Sequence, residues 1–307
     1  MKILIPGGAG YIGSVLAEIL LQKGHQVVVI DVFKFSENSL NHLISNPNLE
    51  VLKKDVRSLN EDFLKKFDCI IPLSAVVGAP ACNLSQNEAK TVNRDSIKNI
   101  INCLSSQQLM IYPTTNSGYG ATTGELHCDE NTPLNPISLY GILKKEAEDM
   151  VMSRENSICY RMATVFGISP RPRTDLLVND FVYKAYNDKS IVLFESHFKR
   201  NFIHVRDIAN AYSFSINNFD KLKSEIYNLG LSDANLTKME LCEKIKIYIK
   251  DLNIFTSEFG KDPDKRNYIV SNDKIEKKGF KASVSIEEGI QELIKYYSII
   301  TKKNSNI

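Results

Sequence analysis

Short apolar runs punctuate the first half of the chain, and each ends in glycines, a carboxylate or small polar groups. "KILIPG" leads into a helical pattern through Ser14 to Lys23; "HQVVVID" leads into another helical stretch; then come "LEVLKKD", "CIIPLSA", a long helical pattern from Asn87 to Ser105, and "LMIYPTT". Strand-length apolar runs alternating with amphipathic helices predict parallel strands covered on both faces, an α/β doubly wound parallel sheet. From about Thr174 the pattern loosens into segments rich in Asn, Lys and Asp, with loop signals at "LSDAN" and "GKDPDKRN". The organisation expected is a first lobe over residues 1–173 and a smaller, ligand-facing C-terminal lobe over 174–307.

Charge narrows the classes of partner. Lys plus Arg (38) nearly balances Asp plus Glu (36) in the 307 residues, and the net charge of +2 is spread along the chain. That argues against nucleic acid or an anionic membrane as the main partner. The six cysteines (Cys69, Cys82, Cys103, Cys128, Cys159, Cys242) show no CxxC pairing and no ligand spacing with histidine, so reduced thiols are expected, and no metal site. "MKILI" is too short for a signal h-region, and no apolar run has the length of a membrane span, which predicts a cytoplasmic protein.

Candidate chemistry begins at "GGAGYIG", which places Gly7, Gly10 and Gly13 between the first strand and the first helix. Glycines there permit a tight turn, close approach of the backbone to a pyrophosphate, and close packing of helix on strand. Asp31 ends the second strand about twenty residues further on, where a carboxylate accepts from ribose hydroxyls and repels a 2′-phosphate. NAD is favoured over NADP. Two alternatives stay open: Asp31 as a turn cap only, and Lys34 as a phosphate ligand.

"SLYGILKK" sets Tyr140 and Lys144 four apart in a helical pattern, so both project from one face. A phenol with a pKa of about 10 is a poor base, but an adjacent ammonium and a nicotinamide cation favour the phenolate. Such a pair suits removal of a hydroxyl proton during hydride transfer. "YPTTNSGYG" breaks from an apolar run into hydroxyls, an amide and glycines, as a core strand does when it delivers side chains to a site at a sheet edge.

With these motifs in view, the chain resembles the extended short-chain dehydrogenase/reductases of the nucleotide-sugar epimerase/dehydratase kind. The likeness runs through the glycine turn, "KKDVR", "PLSA", "TTNSGYG", "DENTPLNPISLYGILK" and "RNFIHVRD". It implies a Rossmann-type fold, a tightly bound NAD and a nucleotide-sugar substrate. Carried over position by position, Thr115, Tyr140 and Lys144 are the catalytic set. The cofactor set is Gly7, Gly10, Tyr11, Ile12, Gly13, Asp31, Asp55, Val56, Leu73, Ser74, Ala75, Asn93, Tyr140 and Lys144. Asn116, Ser117, Asn179, Arg200 and Arg266 fall on the substrate side, although the match at Arg266 could slip to Lys265. "RMATVFG" departs from the family pattern by carrying Thr164 where an Asn is usual. Arg171 and Arg173 could grip sugar hydroxyls or a phosphate, although arginines after a proline-containing loop are ordinarily only solvated. His204 is expected in the core. The helices over Asn93 to Ser105 and Tyr140 to Ser153 would form the bundle of a homodimer, although their apolar positions could equally be ordinary core.

Reaction type turns on the two residues after Thr115. The 4,6-dehydratase branch has an Asp-Glu pair there, an acid and a base for elimination; this chain has Asn116 and Ser117, which do neither readily. Oxidation at C4 remains, either ending there or followed by return of the hydride to the other face. "PTTNSGYG", "RMATVFGISPR", "DLLVNDF", "GLSDANLTK" and "DPDKRNYIVSN" resemble bacterial GDP-heptose 4-dehydrogenases of capsular polysaccharide pathways. This implies oxidation of GDP-D-glycero-α-D-manno-heptose to its 4-keto form, with NADH reoxidised by 2-oxoglutarate as co-substrate. The alternatives are a C4-epimerase resembling UDP-glucose 4-epimerase and, further off, a dehydratase or a non-catalytic NAD-binding module.

Overall fold

In the computed structural model, which describes residues 1–120, 126–257 and 267–300, the apolar runs become one parallel sheet. Strands β1 (Lys2–Pro6), β2 (Gln26–Asp31), β3 (Leu49–Lys53), β4 (Cys69–Ile70) and β5 (Leu109–Thr115) pair in the order β3-β2-β1-β4-β5. Alternate residues feed opposite faces. Ile3, Ile5, Val27, Val29 and Ile111 enter one core, and Leu4, Val28, Ile30, Met110 and Tyr112 the other. A sheet buried on both sides needs this unbroken apolar character, which is why the strands read as runs rather than alternations.

Helix α1 (Tyr11–Gln22) follows the glycine turn, and α2 (Glu61–Leu64) is a single turn. The helical stretch expected between "HQVVVID" and "LEVLKKD" does not form; only a 3-10 turn, Asn41–Leu43, appears. Local side chains take the backbone's hydrogen bonds instead: Asn38 N donates to Ser36 Oγ and Asn48 N to Asn46 Oδ1, a competition that Ser and Asn impose on helices. Helix α3 (Ala79–Leu84) precedes the long helical pattern, which is present as α4 (Gln86–Lys90), a π-helical segment Thr91–Asp95, and α5 (Ser96–Cys103).

Helix α6 (Leu139–Met152) starts where Ser138 Oγ accepts from Gly141 N at 3.2 Å, a cap the sequence supplies at "ISLYG". The remaining elements are β6 (Leu126–Cys128), β7 (Ser157–Met162), β8 (Thr164–Phe166), α7 (Leu177–Asn187), β9 (Ser190–Phe194), β10 (Lys199–His204), α8 (Val205–Asn217), α9 (Phe219–Leu222), β11 (Glu225–Leu229), β12 (Asn235–Thr237), α10 (Lys238–Tyr248), β13 (Asn253–Ser257), β14 (Tyr268–Val270), α11 (Asp273–Lys277) and α12 (Ile286–Tyr297). Three small sheets, β12-β10-β8, β13-β9 and β14-β6, belong largely to this half.

Beyond the boundary expected near residue 173, the chain still builds the first lobe. β11 joins β7 to complete the seven-stranded order β11-β7-β5-β4-β1-β2-β3, and α8 packs on α1. One apolar core runs from Ile3 and Leu16 to Ile208, Leu241 and Leu293. His204 is fully buried, edge-on to the Phe166 ring at 5.2 Å. No helix among the described residues is long and apolar enough to cross a membrane.

Candidate active site

The strand order reverses between β1 and β4, which opens a crevice at the carboxyl ends of the strands. The glycine turn forms its floor. Gly7 holds φ +78°, and a Cβ added to it would come within 2.5 Å of Ser74 N; one added to Gly13 would come within 2.5 Å of Gly8 Cα. Both contacts are with backbone, so only glycine allows the turn to sit this tightly. Helix α1 begins at Gly10 with no side-chain cap and no acidic residue in its first turn. Its N–H groups and positive end are therefore left for an anion.

Around this floor lies a cavity of about 770 Å³. It is lined by Gly7, Gly10, Tyr11, Ile12 and Gly13, by Asp31, Asp55 and Val56, by Leu73, Ser74 and Ala75, and by Thr115, Tyr140 and Lys144. Asp31 accepts from Ala9 N at 3.1 Å and Phe33 N at 2.9 Å, which aims its carboxylate along the turn. Burial raises its pKa from the ordinary carboxylate range, against the pull of those bonds and of Arg171. Asp55 is lowered, chiefly by the Arg57 guanidinium bound to it. A groove with a carboxylate for ribose hydroxyls at one end and an open helix terminus in the middle fits a dinucleotide.

At the other end β5 delivers Thr115. Its hydroxyl donates to Ser117 Oγ at 3.0 Å and accepts from Ser117 N at 3.1 Å. Tyr140 and Lys144 stand one turn apart on α6. Lys144 is 3 % exposed; its Nζ donates to Pro113 O at 2.9 Å and Tyr112 Oη at 3.2 Å, and lies 4.6 Å from the centre of the Tyr112 ring. Burial pulls its ammonium down to about 8.

Other positions singled out in the sequence lie elsewhere. Asn93 sits in the π-helical segment behind the wall, where its amide brackets the backbone of the lining residue Val76 (Oδ1 from Val76 N, 2.8 Å; Nδ2 to Val76 O, 2.9 Å). Asn179 is buried and its amide is used internally, accepting from Gly167 N at 3.0 Å and donating to Arg173 O at 2.8 Å, so it braces the loop after β8 rather than facing the cavity. Arg200 is buried on β10, donates to Lys199 O at 2.9 Å and does not line the cavity. Asn116 is 3 % exposed, and neither atom of its amide has a protein partner. Ser117 binds Thr115. Arg266 and its alternative Lys265 lie outside the described residues.

Phe35, Arg57, Glu88, Met162 and Leu176 also line the cavity and carried no sequence signal that singled them out. Lys34, noted for its charge, reaches Glu88 at 3.4 Å across the mouth. Arg171 and Arg173 both line the wall, and Arg171 is buried.

Comparison with known proteins agrees with this geometry. The family model described as NAD dependent epimerase/dehydratase family matches residues 3–230. A putative UDP-glucose 4-epimerase of Methanocaldococcus jannaschii is 26% identical over 317 residues, covering 99% of each chain. Protein CapI of Staphylococcus aureus is 26% identical over 351 residues, covering 99% of this chain and 100% of that one. Among solved structures, the UDP-glucuronic acid 4-epimerase of Bacillus cereus in complex with UDP-glucuronic acid and NAD shares the fold with a TM-score of 0.83 at 21% identity, over 97% of this chain and 99% of that one. The Thermotoga maritima UDP-glucose 4-epimerase with UDP-glucose does so with a TM-score of 0.83 at 22% identity and the same coverage. The chain belongs to the NAD-dependent epimerase/dehydratase family, with a Rossmann-like fold and NAD as its cofactor.

Proposed function

We propose that the protein oxidises C4 of a nucleotide-activated sugar, GDP-D-glycero-α-D-manno-heptose, to the ketone in supply of a surface polysaccharide. The observation that carries this reading is that Thr115, Tyr140 and Lys144 line one cavity, whose carboxylates among the described residues are Asp31, Asp55 and Glu88. A hydroxyl donor, a phenol and a buried ammonium suit removal of a hydroxyl proton; elimination of water needs a carboxyl acid or base beside them. Thr115 hydrogen-bonds the C4 oxygen, Tyr140 takes its proton, and the Lys144 ammonium stabilises the phenolate. NAD held along Gly7, Gly10, Gly13 and Asp31 would supply the acceptor for the C4 hydride, and 2-oxoglutarate would regenerate it, taking up that hydride with the proton from Tyr140 and leaving as 2-hydroxyglutarate. Asn116 and Ser117 lie beside the sugar, and Arg200 and Arg266 serve the diphosphate; Asn179 enters only through the loop it braces. The proposed assembly is a homodimer through α5 and α6 in the cytoplasm.

A C4-epimerase is the second reading, favoured by the end-to-end match to the Methanocaldococcus protein. The same residues perform its first half, and it differs in returning the hydride to the opposite face. Incubating the purified protein with GDP-manno-heptose and 2-oxoglutarate, without added NAD, separates the two. Mass spectrometry shows loss of two hydrogens for the dehydrogenase. An unchanged mass with a C4 epimer by NMR would establish the epimerase, and no change at all would send the search to UDP-, CDP- and dTDP-sugars.

A further inference from the structure

We propose that Tyr112 is a positioning residue for the reaction: from behind the cavity wall, its hydroxyl holds the Lys144 ammonium in the place and charge state from which it serves Tyr140. This rests on Lys144 as the partner of Tyr140 and not on which sugar is oxidised.

Strand β5 sends Tyr112 into the core shared with Ala147 and Val151 of α6, where it is 1 % exposed, while Thr115 at the strand end lines the cavity. In that core the hydroxyl meets Lys144. The ammonium donates to Tyr112 Oη at 3.2 Å and to Pro113 O at 2.9 Å, and Nζ lies 4.6 Å from the centre of the Tyr112 ring. Tyr112 Oη donates onward to Asn93 O at 3.5 Å. Asn93 belongs to the π-helical segment Thr91–Asp95, a widened turn of the kind that recurs at functional sites. An ammonium has three N–H groups. Two are turned inward onto β5, and among the described residues the third has no protein acceptor, which leaves it for the cavity that Lys144 lines.

The charge depends on the same hydroxyl. No carboxylate among the described residues pairs with Lys144, and a buried ammonium is costly without a partner. The titratable groups acting on the Tyr112–Lys144 pair are Cys82 of α3, Cys159 of β7, Tyr140 and Glu148 of α6, and Tyr212 of α8. Burial raises both thiols, Cys159 well above its ordinary range, so neither offers Lys144 an anion near neutral pH. Tyr112 is itself pushed well up, chiefly by burial, and stays a neutral phenol that accepts from the ammonium without competing for its proton. Two oxygens of β5 therefore retain the Lys144 proton. The Pro113 carbonyl is backbone, which any residue would supply; the Tyr112 hydroxyl is what phenylalanine, filling the same core, would lack.

The test labels the lysines of the full-length, NAD-bound protein with carbon-13 at Cε and follows Lys144, identified by the resonance missing from Lys144→Arg, through a pH titration by NMR. In the unaltered protein it should titrate at about 8. Tyr112→Phe keeps the ring and removes the acceptor, and should move the titration down by about one unit, tenfold in proton affinity, the scale of a hydrogen bond to a charged group. Tyr112→Leu removes the ring as well, should move it further, and carries the test if the phenylalanine variant does not fold. A merely structural tyrosine would lower the melting temperature and leave the titration where it was, which would overturn the proposal. Turnover of GDP-manno-heptose with 2-oxoglutarate is the second readout: its alkaline limb should move down with the resonance while NAD content stays the same. A shifted resonance with an unshifted limb would overturn the role in the reaction. Absence of turnover in the unaltered protein would count against that sugar alone, and the titration then decides.

Discussion

At the level of single residues, Tyr140 and Lys144 carry separable predictions. Tyr140→Phe removes one oxygen, so turnover should fall by about 10²–10⁴-fold, the usual worth of a general base, while NAD stays bound; product mass spectrometry and cofactor content read the two separately. Full activity in that variant would remove Tyr140 as the base. Lys144 makes a pH prediction with two signs. Its ammonium is held down to about 8 by burial, so turnover should fall as pH rises through that value. The unfolded chain keeps the lysine proton to about 10.4 and binds more protons between the two values, so this group's cost to the fold is relieved over the same window. A rate profile and thermal melts run side by side should show activity falling while the lysine's contribution to stability rises; a rate unchanged through that window would exclude Lys144. The locations of Thr115, Tyr140 and Lys144 were legible because spacing on one helix and the end of one strand are local properties. The place of Asn179 was not, because the groups that use up its amide, Gly167 and Arg173, reach it only through tertiary folding.

Among the elements, α6 shows how the site is held to the sheet. Tyr140, Lys144 and Glu148 follow one another at single-turn intervals, and Glu148 meets Arg161 of β7 with contacts of 2.7, 3.1 and 3.2 Å, both side chains buried. Arg161 continues to Tyr119 Oη at 3.3 Å and Glu130 O at 3.1 Å, and Tyr119 donates to Asn228 Oδ1 of β11 at 2.6 Å. Glu148→Gln leaves a buried guanidinium without its counter-charge, which should cost about 3–5 kcal/mol, visible as a lower urea midpoint with an unchanged slope. A shift under about 1 kcal/mol, the size of an exposed pair, would show that solvent reaches it. The strands and long helices could be read from the chain because both faces of the sheet are apolar. The 32–48 segment was misread because a loose apolar periodicity there is overridden by Ser and Asn side chains that satisfy the backbone locally.

For the molecule as a whole, the decisive feature is the continuous core. A pattern that loosens near Thr174 suggests two bodies, but β11 is an edge strand of the large sheet and α8 lies on α1, so neither half buries its apolar surface alone. Far-ultraviolet circular dichroism and tyrosine fluorescence should therefore report one coincident unfolding transition; two separated midpoints would mean that the lobes fold independently. Against that cooperative background Asn116 stands out. A buried amide with neither atom paired costs about 1–3 kcal/mol per group left unsatisfied. Asn116→Leu, close in size, should raise the melting temperature and lower sugar turnover together, both read on one preparation; a melting temperature that falls would mean the amide supports the fold. If both changes are seen together, position 116 is where the chain exchanges robustness for chemistry.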